Sequence, residues 1–189
     1  MSMQLQLFDD VSTQHNVFFA ARPTVAAAAR IVHLAQDLVE RRRLGARLLS
    51  PERLHVSLFA VGGFVDPLPP VIIDEAKAIA GTVSMAPFEV VFDRVASFGG
   101  GGGKPALVLM GSAGVAGLVR FQEALSLALS KAGVGVRQKK PFTPHVTMAY
   151  ADRTREFPIE PISWTVNEFV LVDSLVGQSK HIPLGRWPL

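Results

Sequence analysis

Two short segments of this 189-residue chain carry an imidazole followed two places later by a hydroxyl: His55-Val56-Ser57 and His145-Val146-Thr147. A β-strand turns alternate side chains to opposite faces, so in each segment the imidazole and the hydroxyl share one face and the valine takes the other. Imidazoles titrate near neutral pH, so one can accept a proton while the other donates one. Hydroxyls beside them can donate to phosphoryl oxygens as negative charge builds there. Two such couples facing each other suit hydrolysis of a cyclic phosphodiester, in which water loses a proton and the leaving oxygen gains one on the opposite side. This chemistry requires no metal, and no cofactor is expected. One couple alone says little, because 12 Ser and 7 Thr accompany the 5 His. Two couples at equivalent places of a repeat point to a site.

The repeat is legible in the sequence. A shift of 90 sets Arg30 on Arg120, Gly45 on Gly135, Pro51 on Pro141, His55 on His145, Ser57 on Thr147 and Leu58 on Met148 without a gap, with Phe18 opposite Val108. Further along, a shift of 77 aligns Phe92 with Phe169, Ser97 with Ser174 and Leu107 with Leu184. The difference is about the length of a helix near residues 69–80 that the second half lacks. These matches imply a duplicated unit, with two pseudo-symmetric lobes and both couples facing one cleft.

The elements that would hold the couples follow from hydrophobic spacing. Residues 1–15 read as an N-terminal extension, and 16–189 as a single bilobal domain. Strands are expected over Asn16–Ala21, Leu54–Val61 (closed by Gly62-Gly63), Phe88–Phe98, Ala106–Met110, Pro144–Tyr150 and Thr165–Val176, with a last one in HIPLGRWPL. Thr24 reads as the cap of a helix with Ile31, Leu34, Ala35 and Leu38 on one face. Ala113–Ala132 reads as another, with Leu118, Phe121, Leu125 and Leu129. The fold class expected is α+β, each lobe an antiparallel sheet flanked by helices.

LHVSLFAVG and FTPHVTMAY resemble the paired signatures of the two-histidine (2H) phosphoesterases, and most closely the LigT-like 2′-5′ RNA ligase / RNA 2′,3′-cyclic phosphodiesterase group. The likeness extends to NVFFAA at the start and to FVLVDSLVGQSKHIPLGRW at the end. It implies hydrolysis of 2′,3′-cyclic phosphate termini of RNA or nucleotides, in the RNA branch to a 2′-phosphate, with reversible 2′-5′ ligation in some members. It also implies that His55 and His145 are acid and base, in either order, and that Ser57 and Thr147 bind the phosphate. The chain departs from the pattern at three places: Tyr150 stands where the RNA branch usually has Arg, Ser57 where Thr is common, and His181 where an aromatic, often Tyr, is common.

Other residues join the site as substrate-binding candidates. Phe142, three places before His145, can stack on a base or fill the core. Lys140, with Lys139 and Arg137, can meet phosphates or simply be solvated. Arg53 is expected on the strand face of His55, and His181 and Tyr150 near the cleft. Arg41, Arg42, Arg43 and Arg47 read as a favourable helix C-terminus. Gly99–Gly103 lacks the Gly-Lys-Ser/Thr ending of a phosphate loop and reads as a hairpin tip. His15 and His33 have no evident partners in the sequence.

Composition narrows the class. Charged residues are 19% and the formal net charge is +3, which permits an anionic partner. The absence of Cys excludes disulfides and thiolate chemistry. A two-histidine metal site would need carboxylates that neither histidine strand carries, so no metal is expected. No apolar run is long enough for a membrane span, and the N-terminus resembles no targeting signal. The expectation is a cytoplasmic protein with no membrane contact, its oligomeric state not fixed by the sequence but a monomer favoured, whose partner is RNA or a nucleotide bearing a cyclic phosphate. Two other functions fit the same residues: a non-catalytic RNA- or nucleotide-binding module, and a phosphoesterase for a non-RNA cyclic phosphate such as an ADP-ribose derivative.

Overall fold

The computed structural model describes residues 13–99, 103–136 and 141–189. Strand β1 (Gln14–Ala21) leads into helix α1 (Val25–Arg41), whose first turn is capped by Thr24 Oγ1 accepting from the Ala27 amide at 3.3 Å. Ala27, Ala28, Ile31, Ala35 and Leu38 form the buried face of α1, which includes three of the four residues expected there, while Leu34 is only half-buried at its margin. The two-residue strand β2 (Arg47–Leu48) and a 3-10 turn at Pro51–Arg53 precede β3 (Val56–Val65). Helix α2 (Pro70–Ala80), β4 (Phe88–Phe98) and β5 (Ala106–Met110) follow. Helix α3 (Ala116–Lys131) leads to β6 (His145–Tyr150), β7 (Phe157–Val166), β8 (Glu168–Leu175) and β9 (Lys180–Pro188).

The strands form two antiparallel sheets, ordered β3-β1-β8-β9 and β2-β6-β5-β4-β7. This is the α+β architecture expected. One continuous apolar core runs through both sheets and includes Phe19, Ile31, Leu58, Phe92, Phe121, Leu125, Met148 and Phe169. Phe92 stacks on Trp164 with centroids 4.9 Å apart, and Phe121 meets Phe169 edge to face at 4.9 Å. Gly117 lets α3 approach β4, since a Cβ there would run into the Phe88 ring. Phe18, Ala20, Val170 and Val172 make a smaller cluster on the opposite face of the four-stranded sheet. That face carries the site.

Several expectations are corrected. The first strand starts at Gln14, inside the segment read as an extension, because His15 is buried. Gly62-Gly63 does not close β3: both residues pair with β1, and the strand runs on to Val65. Thr165–Val176 is two strands parted at Asn167, so β7 lacked a signal of its own. Arg47 belongs to β2, not to the end of α1, and its guanidinium donates to Ser179 Oγ at 2.6 Å, linking the five-stranded sheet to the β8–β9 turn.

The duplication survives with altered registers. Three consecutive strands of one sheet, β3-β1-β8, match β6-β5-β4 of the other. Ser57 lies opposite Ala20, and Thr147 opposite Val108. Val108 therefore answers to Ala20 and not to Phe18, two residues out of step with the 90-residue offset. Val170 and Ala96 flank these two residues on the other side, which breaks the offset of 77, and β9 takes the edge place of β7 rather than that of β5. The histidine strands themselves agree closely. Each carries one extra residue just after its hydroxyl, Leu58 in β3 and Met148 in β6, where the partner strand advances by one while it advances by two.

Candidate active site

His55 stands immediately before β3 and His145 opens β6. Each ring is anchored in the same way. Nδ1 of His55 donates to the carbonyl of Arg53 at 2.6 Å, and Nδ1 of His145 to the carbonyl of Thr143 at 2.7 Å. A carbonyl only accepts, so these contacts place a proton on Nδ1 and leave Nε2 for chemistry. At His55, Nε2 lies 3.1 Å from Ser57 Oγ, whose hydroxyl donates to it. His145 and Thr147 make no such bond.

Aromatic walls fix both imidazoles. Phe18 stacks on His55 at 4.9 Å and 29°, and Phe98 meets His145 edge-on at 5.1 Å. His181 of β9 sits edge-on to His55 at 5.3 Å and also contacts Phe18. Burial above all, with the charges of Arg22, His145 and Arg53 adding to it, holds His55 at about 4. His145 is thus near enough for its charge to disfavour a second charge on His55. Burial, His55, Arg53 and Arg22 hold His181 at about 4 as well. Both His55 and His181 are neutral at neutral pH.

The remaining candidates are placed as follows. Arg53 lies in the 3-10 turn rather than on the strand of His55, so its carbonyl, not its strand face, links it to the ring. Tyr150 is 44% exposed and pairs with Ala106. By simple alternation it would share the buried face of Val146 and Met148, but the extra residue Met148 carries it to the face of Thr147. Phe142 is half buried against the main core, where it fills space. Lys140, with Lys139 and Arg137, lies outside the described residues, as does the middle of Gly99–Gly103. Among the described residues no three His, Asp or Glu are grouped to hold a metal ion. No helix among them is long and apolar enough to cross a membrane.

Sequence reasoning missed two features. His15, read as partnerless, bonds Asp173 at 2.8 Å through Nδ1 and Asp66 at 2.7 Å through Nε2, on the core side of the sheet. Arg22, at the end of β1, was not singled out, although its position two past Ala20 on the site face was a usable signal.

The geometry defines a class: two pseudo-equivalent imidazole–hydroxyl couples on neighbouring antiparallel sheets. Residues 23–178 match the model of the 2′-5′ RNA ligase superfamily. The chain belongs to this superfamily, the 2H phosphoesterases. Its fold is similar to that of E. coli LigT complexed with 3′-AMP, with TM-score 0.71, 21% identity, and coverage of 93% of this chain and 98% of that one. TT0787 of Thermus thermophilus is similar at TM-score 0.74 and 21% identity over 92% and 97% of the two chains. Usb1 of Kluyveromyces marxianus is similar at TM-score 0.53 and 13% identity over 93% and 98%. A comparison with curated protein sequences finds no match.

Proposed function

We propose that this phosphoesterase is a metal-independent cyclic phosphodiesterase that opens 2′,3′-cyclic phosphate termini of RNA or nucleotides, leaving a 2′-phosphate. The observation that carries the reading is the matched pair of imidazoles, each with Nδ1 tied to the carbonyl two residues before it and a hydroxyl two residues after it. His55 enters the reaction neutral and serves as the base. Substrate draws the Ser57 hydroxyl to a phosphoryl oxygen, which frees Nε2 of His55 to take a proton from the attacking water. As the new P–O bond forms, the bond to the 3′ oxygen breaks. His145, the acid of the pair, gives that oxygen a proton from Nε2. The Arg53 and Thr143 carbonyls steady whichever ring is charged. Ser57 and Thr147 donate to the nonbridging oxygens as charge builds. With a 5′-hydroxyl in place of water, the same steps open the cyclic phosphate to a 2′-5′ phosphodiester, the 3′ oxygen again leaving with a proton, so 2′-5′ ligation uses the same site.

LigT complexed with 3′-AMP accords with a nucleotide as the ligand class. The test is turnover of 2′,3′-cyclic mononucleotides, with the product identified by phosphorus NMR. A 2′-phosphate product supports the reading, and absence of turnover on every cyclic nucleotide and cyclic-ended RNA defeats it.

A further inference from the structure

Continuing the β1–β3 register one step beyond Ala21 and Val56 sets Arg22 opposite His55. The second sheet has the same relationship in its observed ladder, where Met110 lies opposite His145. An arginine thus occupies, beside one catalytic imidazole, the place a methionine takes beside the other. Arg53 approaches the same ring from the 3-10 turn. Both guanidinium charges are close enough to His55 and His181 to disfavour their protonation.

Glu168 and Glu52 lie within electrostatic reach of Arg22 and Arg53 respectively, but neither carboxylate bonds them directly. Nε of Arg22 and Nε of Arg53 are both buried without a hydrogen bond, and neither side chain forms an ion pair among the described residues. The contrast with other arginines is informative. Arg94 is held by Asp93, Glu156 and Ser112, and Arg186 by Glu168 at 3.0 Å. Glu52, the carboxylate nearest in sequence, is turned to the Ser50 hydroxyl. Burying an uncompensated guanidinium Nε is costly unless something supplies an acceptor. Beside Arg22 opens a hollow of about 430 Å³ lined mostly by apolar side chains, among them Pro23, Val25, Ala28, Pro51 and Leu54, with Glu52 as its one carboxylate.

We infer that Arg22 and Arg53 form a binding site for a second phosphate, the phosphodiester of the nucleotide preceding the cyclic end, so that the substrate is an oligonucleotide rather than a mononucleotide. Guanidinium forks match phosphate oxygens in pairs. The apolar hollow receives the flat face of that neighbouring nucleoside. This inference rests on the cyclic phosphodiesterase reading for the identity of the reacting end, but the site itself does not depend on turnover.

The experiment compares a 2′,3′-cyclic mononucleotide with a dinucleotide ending in the same cyclic phosphate. Wild type should favour the dinucleotide in kcat/KM by about 10-fold or more, the yield of one charge-assisted contact. Arg22→Gln and Arg53→Gln should each shrink that ratio toward one, while Arg22→Lys should keep part of it. Calorimetric titration of a non-cleavable dinucleotide carrying a terminal 2′-phosphate gives a readout free of catalysis. The dependence of that affinity on salt should weaken in each Gln variant. Equal use of both substrates by wild type, or an unchanged ratio and salt dependence in folded Gln variants, would overturn the second-phosphate site. Tight, salt-dependent dinucleotide binding without any turnover would sustain the subsite and defeat only the proposed reaction.

Discussion

Ser57 Oγ lies 3.1 Å from Nε2 of His55, on the nitrogen left bare when Nδ1 donates to the Arg53 carbonyl. The hydroxyl therefore occupies the lone pair of that nitrogen, and in the proposed reaction it turns away when a phosphoryl oxygen arrives. His145 has the same anchor and no such bond. The two halves of the duplicated unit thus hold the same imidazole with different hydrogen bonds at Nε2.

Removing either imidazole tests the shared role. His55→Ala and His145→Ala should each lower kcat on a 2′,3′-cyclic nucleotide by roughly 10² to 10⁴-fold, the range of general acid–base catalysis. Unchanged thermal melts would show that the fold is spared. Near-normal turnover by either variant would contradict the assignment.

The pH profile should be displaced to the acid side. His55, lowered chiefly by burial to about 4, is already a free base at pH 5. The ascending limb of kcat/KM should therefore centre near pH 4, not near the ordinary imidazole value. The descending limb reports loss of the proton donor. An ascending limb between pH 6 and 7 would show that His55 is not the group entering as base.

Thr147 is expected to act through its hydroxyl, as Ser57 does in the other half. Thr147→Ala should cost about 10²-fold in kcat, the scale of losing one oxyanion donor. Thr147→Ser should retain most of the activity. Similar losses in both variants would point to packing of the methyl group instead.

Chelation should have no effect. The proton transfers proposed use only protein groups, so overnight EDTA followed by assay should leave the rate unchanged. A loss restored by added divalent cation would argue for metal-assisted attack.

His15 offers a test of stability independent of the site. It is 7% exposed and sits between Asp173 and Asp66. Its hydrogen bond to Asp173 above all raises its pKa. A raised histidine stabilises the fold fully below its unfolded value of about 6.5, and that contribution fades as pH rises through the folded value. Urea midpoints should therefore fall between pH 6 and pH 9. His15→Ala should lose ~3 kcal/mol by stranding the buried Asp173 carboxylate, and should flatten this dependence.

The chemistry of the site was written locally. His55-Val56-Ser57 and His145-Val146-Thr147 are each three residues long, and alternation along a strand suffices to place imidazole and hydroxyl together. The amphipathic stripes of α1 and α3 were equally legible, because a helix buries residues at its own period whatever it packs against. Strand partnership was not, because pairing joins residues far apart in the chain. Only the folded sheets show that Leu58 and Met148 are extra residues in their ladders, that Tyr150 consequently joins the face of Thr147, and that β9 lies where β7 does in the other sheet. Burial decided the rest: it keeps His55 neutral, leaves Nε of Arg22 and of Arg53 without hydrogen bonds, and gives His15 two carboxylates from segments 51 and 158 residues away. Solvent exclusion belongs to the assembled protein, since no short stretch of chain can shield its own polar groups from water.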